Sequence, residues 1–141
     1  MTGVTTFIDS CVWIAAFNKK DVKHEPAKEI VTAIIEGRIK NAMITDYIFN
    51  EVVTCIREKI SANASNQAAN ALLDSEHVMI ANIDETSFIA AFHVFQGYDA
   101  LSFTDATTVV LMKNLKVKTL FSFDSGFDGI NDVQRLDQLV E

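Results

Sequence analysis

The sequence is poor in residues that cross-link or interrupt a chain, with two cysteines, one proline and five glycines among 141 residues. Together with 49% hydrophobic residues, this composition excludes a collagen-like repeat and a disordered chain. The longest unbroken apolar run, residues 11–17, has seven residues, whereas a membrane-spanning helix needs about 20. No basic segment precedes an apolar one at the N-terminus. We therefore expect neither a secretory signal nor a membrane span.

The cysteines and the charge balance narrow the classes of protein further. Cys11 and Cys55 lie in apolar segments, and their spacing fits neither a metal knuckle nor a redox pair. Buried free thiols are typical of the reducing cytosol, so we expect a cytoplasmic protein. The net charge of −7 is opposite to the basic excess of a general nucleic-acid coat protein. It is compatible with an enzyme that gathers acids around a metal ion.

The alternation of apolar segments predicts one α/β domain over residues 1–141. Short β-branched and aromatic runs predict strands at residues 4–8, 42–45, 78–83, 118–123 and 133–136. The segments between them predict helices at residues 26–36, 46–59, 62–73, 85–95 and 102–115. Asp46 is the predicted N-cap of the second helix. Strands separated by helices indicate a three-layer α/β/α fold with a central parallel sheet of four to five strands.

Four acids stand where the predicted strands end or the predicted helices begin. Asp9 and Asp124 directly follow strands, and Glu51 and Asp105 lie near the N-termini of helices. The carboxyl ends of parallel strands meet at one edge of a sheet, where such sheets bind ligands. Glu51 lies at the rim of the apolar stripe of its helix, and Asp105 continues the inward face of its own. The pattern therefore predicts an acidic site at this edge.

Each acid also has an ordinary structural explanation. Asp9 could accept hydrogen bonds from the amides of a turn, and Glu51 could be a favourable charge near a helix N-terminus. Asp105 could form a capping box with Ser102, three residues earlier. Asp124 could belong to a turn. Spacing alone leaves these alternatives open beside the metal site.

Clustered carboxylates repel one another, and a divalent cation relieves that repulsion. Oxygen ligands without supporting cysteines or histidines favour Mg²⁺ or Mn²⁺ over Zn²⁺, and the three histidines do not form a ligand set. Because Mg²⁺ commonly also binds phosphate oxygens, the natural substrate of such a site is a phosphodiester, which water activated by the metal would attack.

Basic residues form two local groups. Lys19, Lys20 and Lys23 follow the first apolar segment, and Arg57 and Lys59 lie at the end of the helix that carries Glu51. These side chains could hold RNA phosphates beside the acidic edge. They could equally form a solvated face and favourable charges at a helix C-terminus.

Four segments together resemble the PIN domain nucleases, and most closely the compact VapC-like toxins, over nearly the whole chain. The segment FIDSCVWIAAF supplies the first acid, Asp9, and the hydroxyl of Ser10. ITDYIFNEVV supplies Glu51, and LSFTDATTVVLMK supplies Asp105. TLFSFDSGFD resembles the fourth motif, and its polar residues are Ser122, Asp124 and the additional acid Asp128.

The resemblance implies an endoribonuclease that depends on Mg²⁺ or Mn²⁺ and cleaves single-stranded or structured RNA. Its catalytic residues would be Asp9, Glu51, Asp105 and Asp124, and Asp128 would join them as a metal ligand. The resemblance also implies a homodimer and a cognate antitoxin, as in type II toxin–antitoxin pairs. The helix at residues 102–115 is apolar nearly all round, which fits either an oligomer interface or internal burial.

Two other functions remain open at this point. A phosphoacceptor signalling domain also has an acid after a strand of a parallel sheet, although it usually has an acidic pair, and Asp9 follows Ile8 without one. A PIN-like binding module without chemistry is the other alternative. The presence of all four acids argues against it.

Overall fold

A computed structural model describes residues 4–140, so the ends of the predicted domain, residues 1–3 and 141, lie outside the described residues. The five strands are β1 (Thr6–Ile8), β2 (Ala42–Thr45), β3 (Val78–Ala81), β4 (Thr119–Phe121) and β5 (Gln134–Leu136). They form one sheet in the order β3-β2-β1-β4-β5, and each neighbouring pair is parallel. This confirms the predicted fold class.

Six α-helices connect the strands, and a short 3₁₀ helix follows β4 at Ser125–Gly129. The α-helices are α1 (Ser10–Ala16), α2 (His24–Ile35), α3 (Asp46–Lys59), α4 (Ala62–Asp74), α5 (Glu85–Gly97) and α6 (Phe103–Leu115). No helix within residues 4–140 combines the length and the apolar character needed to cross a membrane.

The side chains of neighbouring strand residues point to opposite faces of the sheet, which gives the fold its three layers. Ile8 and Phe121 belong to a core shared with α1, α2, α3 and α4. Phe7 and Leu120, one position earlier in the same strands, belong to a second core that includes Val109 and Met112 of α6. The sheet is therefore covered on both faces.

Helix α6 is enclosed within the domain. Every residue from 105 to 112 is buried, and Val110 packs with Ala91 of α5 in a further apolar cluster. Internal burial thus explains the apolar character of α6. The exposed apolar side chains of this layer lie mainly on α5, and Leu115 at the end of α6 is also exposed.

The structure corrects several local predictions. The apolar residues after Asp9 form α1, which was not predicted because a seven-residue apolar run has no clear helical period. Thr45, not Asp46, is the N-cap of α3, since its hydroxyl accepts a hydrogen bond from the Ile48 amide at 3.0 Å. The strands are one to three residues shorter at their ends than predicted, except β2. Both cysteines are free thiols, and both are only partly buried rather than buried as predicted.

The chain order places a topological switch point between β1 and β4. The chain runs from β1 outward through β2 to β3, and then returns to place β4 on the other side of β1. The connections that leave β1 and β4 therefore diverge, and a crevice opens at the carboxyl ends of these two strands. Asp9 follows β1 and Asp124 lies three residues after β4, so the fold brings two of the predicted acids to this crevice.

Candidate active site

Asp9 lies at the centre of the acidic site. It follows β1 and is the N-cap of α1, where one carboxylate oxygen accepts a hydrogen bond from the Ser10 amide at 2.8 Å. The other oxygen accepts a hydrogen bond from the Ser122 hydroxyl at 2.7 Å, across from β1 to the end of β4. The residue is only 3% exposed. Asp9 therefore does accept a hydrogen bond from a local amide, as its structural explanation proposed. Together with the bond from Ser122, this contact holds the carboxylate inside the crevice.

Asp105 also combines a structural and a site role. Its amide donates to the Ser102 hydroxyl at 3.0 Å, and its carboxylate accepts from the Ser102 amide at 3.0 Å, so the capping box exists. The residue is 7% exposed. Because the N-terminus of α6 lies at the crevice, the cap leaves the carboxylate close enough to Asp9, Glu51 and Asp124 for their charges to interact.

Glu51 and Asp124 complete the group from two further elements. The Ser10 hydroxyl donates a hydrogen bond to Glu51 of α3, which places that carboxylate beside Asp9. Asp124 is the N-cap of the 3₁₀ helix and accepts from the Gly126 amide at 2.8 Å. Its own amide donates to the Ser122 hydroxyl at 3.0 Å. Ser10 and Ser122 therefore link the acids to one another.

Burial and neighbouring negative charges dominate the electrostatics at Asp9 and Asp105. Burial raises the pKa of Asp9 to about 6, and the nearby charge of Asp105 adds to the effect. Burial also raises the pKa of Asp105, and the charges of Asp124 and Glu51 contribute, while hydrogen bonds from Ser102 act in the opposite direction. Neither Asp9 nor Asp105 has a salt-bridge partner within residues 4–140. The site is therefore suited to a cation that the chain itself does not supply.

The donor set fits a hard divalent cation better than zinc. The acids offer oxygen atoms alone, and Mg²⁺ or Mn²⁺ prefers such ligands. Within the described range no group of three or more acidic, histidine or cysteine side chains is placed so that it could hold a metal ion by itself. An ion that keeps several of its waters needs few direct protein ligands, so the oxygen-rich, negatively charged crevice fits that ion.

Cys11 and Arg135 are site residues that sequence reasoning missed. The Cys11 thiol lies 3.5 Å from a carboxylate oxygen of Asp9 and accepts a hydrogen bond from the Phe123 amide at 3.4 Å. Burial, followed by the charge of Asp9, raises the pKa of this thiol to about 12, so it stays protonated. Its position two residues after Asp9 was the available signal. Arg135 gave a weaker one, as a cation within the last predicted strand.

Asp128 lies in an ion pair with Arg135. The Nε atom of Arg135 donates to one carboxylate oxygen of Asp128 at 2.7 Å, and Nη2 donates to the other at 3.1 Å. These hydrogen bonds lower the pKa of Asp128. Both oxygens thus already have a protein partner, unlike a free ligand, and the role of Asp128 as a fifth metal ligand stays a prediction.

The predicted basic residues are divided between two surfaces. The Lys23 ammonium lies over the Phe123 ring, 5.7 Å from its centroid, next to Asp124 in the chain. Lys19 and Lys20 line a surface cavity of about 450 Å³ together with Lys59 of α3. Arg57 lines a different cavity, between α3 and α4. The structure therefore groups three of the predicted residues on the flank of the loop after α1.

A five-stranded parallel sheet with four acids at its switch point defines an α/β protein with an acidic site. The model of the PIN domain family matches residues 6–133. This match covers most of the sequence, and the chain belongs to the PIN domain family.

Curated relatives and solved structures agree with this assignment. A VapC ribonuclease of Archaeoglobus fulgidus is 28% identical over 127 residues, which cover 88% of this chain and 80% of that protein. The 23S rRNA-specific endonuclease VapC20 of Mycobacterium tuberculosis is 24% identical over 132 residues, covering 91% and 95%. The crystal structure of that VapC20, described as a sarcin-ricin loop cleaving toxin, has a TM-score of 0.80 at 21% identity and covers 90% of this chain and 95% of its own.

A more distant structure has the same fold. A toxin–antitoxin complex from Klebsiella pneumoniae gives a TM-score of 0.65 at 18% identity, covering 92% of this chain and 96% of that chain. At such identity the likeness concerns the fold alone.

Proposed function

We propose that this protein is a metal-dependent endoribonuclease and the toxin of a type II toxin–antitoxin pair. The observation that carries the proposal is the convergence of Asp9, Glu51, Asp105 and Asp124 at the switch point of the sheet, where none of the four forms a salt bridge within residues 4–140. The names of the curated relatives, VapC ribonuclease and 23S rRNA-specific endonuclease, support the same activity. The toxin–antitoxin complex among similar structures supports an antitoxin as partner.

The four acids would hold Mg²⁺ or Mn²⁺. When bound, the ion supplies a Lewis acid that activates water and neutralises charge on the leaving oxygen of a phosphodiester. Asp9 contributes the most buried carboxylate, and Ser122 and the Ser10 amide fix its orientation. Ser10 holds Glu51 in the same way, through its hydroxyl. Such fixed hydrogen bonds preorganise the ligands before substrate arrives.

We expect RNA phosphates to bind a basic surface beside the acidic crevice. We expect Lys23, whose ammonium lies over the Phe123 ring, to form this surface together with Lys19 and Lys20, which lie earlier in the same loop. Lysines that neutralise phosphates supply sequence-independent affinity, which falls as salt rises. These lysines would give a locally basic surface on a chain whose overall charge of −7 disfavours RNA binding. An RNA contact for Arg57 stays a separate prediction, since it lies on another surface.

The direct test is cleavage of RNA by the purified chain with and without metal. We expect a labelled single-stranded or stem-loop RNA to be cut internally in 5 mM Mn²⁺ or Mg²⁺, a condition on the order of the millimolar affinity range of weak oxygen sites. Chelation should stop cleavage, and added Mn²⁺ should restore it. Cleavage that continues unchanged in excess chelator would contradict metal dependence, and no cleavage under any metal would contradict the nuclease.

We also propose a homodimer that forms through α5. Five large apolar side chains of this region are exposed, namely Phe88, Ile89, Phe92, Phe95 and Tyr98. The helix carries a single charged residue, Glu85, so two copies of an acidic chain can meet there with little like-charge repulsion. Exposed apolar patches of this kind commonly mark interfaces, and a two-fold contact uses the same patch twice.

Phe92→Glu should convert the dimer into a monomer. Phe92 is 46% exposed, so the charge costs the folded monomer little, whereas the dimer would bury two new charges at one contact. Analytical ultracentrifugation at micromolar concentration should give twice the chain mass for the parent and the chain mass for the variant. Leu73→Glu on α4, at 60% exposure, is the matched control and should stay dimeric. A monomeric parent would refute the dimer.

A further inference from the structure

Arg135 joins three parts of the chain near the acidic site. It belongs to the edge strand β5, and its Nη1 donates to the Ser122 carbonyl at 3.1 Å. Its Nε and Nη2 atoms each donate to one carboxylate oxygen of Asp128 in the 3₁₀ helix, so the pair is bidentate. The Arg135 side chain is 19% exposed, whereas that of Asp128 is 54% exposed. The Arg135 side chain is thus partly buried, and its guanidinium uses its fixed fork geometry on both partners.

The segment between these two contacts carries Asp124. The Ser122 hydroxyl donates to Asp9 and accepts from the Asp124 amide. Asp124 then caps the 3₁₀ helix through the Gly126 amide, and Asp128 lies in that helix. The carbonyl of Ser122 and the carboxylate of Asp128 are therefore the two ends of a short loop, and Arg135 binds both.

We propose that Arg135 and Asp128 are positioning residues that clamp the loop between β4 and the 3₁₀ helix and so fix Ser122 and Asp124 at the acidic site. The proposal rests on the proposed function for its effect on metal and cleavage. It assigns Asp128 to the support of Asp124 rather than to direct metal binding.

The geometry favours a clamp over a ligand for Asp128. The planar fork of Arg135 makes one short contact with each carboxylate oxygen of Asp128, so a metal bound to either oxygen would compete with a charge-assisted pair for the same negative charge. Opening that pair would also leave the guanidinium without its anion. The Ser122 carbonyl would then lose the donor that holds it. A clamp therefore uses every contact of Arg135, whereas direct metal binding by Asp128 would weaken two of them.

The test compares Asp128→Asn, Arg135→Met and the double variant in the full-length chain. Two measurements apply: Mn²⁺ affinity by calorimetry, and amide hydrogen exchange of the metal-free protein at Asp124 and Gly126. We expect each single variant to weaken Mn²⁺ binding and to speed exchange by about tenfold, the lower range for groups that orient metal ligands. The double variant should be no worse than either single one, because both remove the same clamp. Arg135→Lys should recover part of the loss, since it keeps the charge without the fork.

The surface pair Glu36 and Arg38 provides the matched control. Their side chains make a similar 2.8 Å contact and are both more than half exposed. Glu36→Gln and Arg38→Met should change neither exchange at Asp124 nor Mn²⁺ affinity. Thermal unfolding of every variant separates local loosening of the loop from loss of the whole fold.

Two results would overturn the clamp. If Asp128 is a ligand, Asp128→Asn weakens Mn²⁺ binding, whereas Arg135→Met frees the carboxylate and leaves binding equal or tighter. Unchanged exchange at Asp124 and Gly126 in both variants also contradicts it. Failure of the proposed function has a different signature: the parent binds no Mn²⁺, yet the exchange changes of the metal-free protein persist.

Discussion

Asp9→Asn and Asp105→Asn should each lower RNA cleavage by about a thousandfold or more while the fold persists. Loss of a group that only orients a metal ligand lowers metal affinity or activity about 10–100-fold. Asp9 and Asp105 would contact the metal directly, so their loss should cost more. Asparagine keeps the size of the side chain and one oxygen, so the caps at α1 and α6 can still form. What is lost is the negative charge that would hold the cation. Initial rates at saturating Mn²⁺ measure the effect, and circular dichroism checks the fold.

Asp74→Asn is the matched control for this experiment. Asp74 ends α4 and lies beside the residues that precede β3, at the sheet edge opposite the acids. The substitution removes the same charge from the chain without touching the crevice, so the rate should stay within about twofold of the parent, as expected for surface changes. If Asp9→Asn cuts RNA as fast as Asp74→Asn, then the acidic crevice is not the active site.

The second large effect concerns stability in the absence of metal. The pKa of Asp9 is about 6 in the folded chain, because of burial and then the Asp105 charge, against an ordinary value of 3.8. A raised pKa means that the folded state binds the proton more tightly than the unfolded state. The stabilisation is therefore fully present below about pH 4 and is lost as pH rises through about 6. The difference between a pKa of about 6 and the ordinary 3.8 corresponds to about 3 kcal/mol in the free energy of unfolding.

Comparison with Asp9→Asn isolates this contribution from all other titrations. Between pH 4 and pH 7 the free energy of unfolding of the metal-free parent should fall by about 3 kcal/mol relative to the variant. Mn²⁺ at about 100 times its dissociation constant should raise the free energy of unfolding of the parent by about 2.7 kcal/mol at pH 7, and that of the variant by little. Denaturant unfolding at several pH values measures both effects. A parent-to-variant difference that does not change with pH would show that Asp9 is not strained by its buried charge.

The sequence predicted the layers and the sheet because each strand and most helices are locally consistent. β-branched runs such as AMIT at Ala42–Thr45 and the capped helix that begins after Ser102 carry their own signals. α1 escaped prediction because it is a single buried segment of seven residues that starts at the site itself. Its N-cap is Asp9, so one residue both starts a helix and serves the acidic site. Local pattern cannot separate these two roles.

The sequence indicated which acids belong to the candidate site, but it did not indicate the hydrogen bonds that link them. Strand-end position placed Asp9 and Asp124, and helix position placed Glu51 and Asp105. The hydrogen bonds that link them join residues 41 and 113 positions apart, Ser10 with Glu51 and Ser122 with Asp9. Such contacts depend on which strands become neighbours in space. The pairing of Arg135 with Asp128 depends likewise on β5 lying beside β4.

The most direct test of the account is a crystal of the protein soaked in Mn²⁺, with anomalous diffraction recorded near the manganese edge. The account predicts a peak inside the crevice, within reach of carboxylate oxygens from Asp9, Glu51, Asp105 and Asp124, and its loss in crystals of Asp9→Asn. A crevice without any anomalous signal in the parent, or an ion that remains there unchanged in Asp9→Asn, would contradict the claim that these four acids form a metal-binding active site.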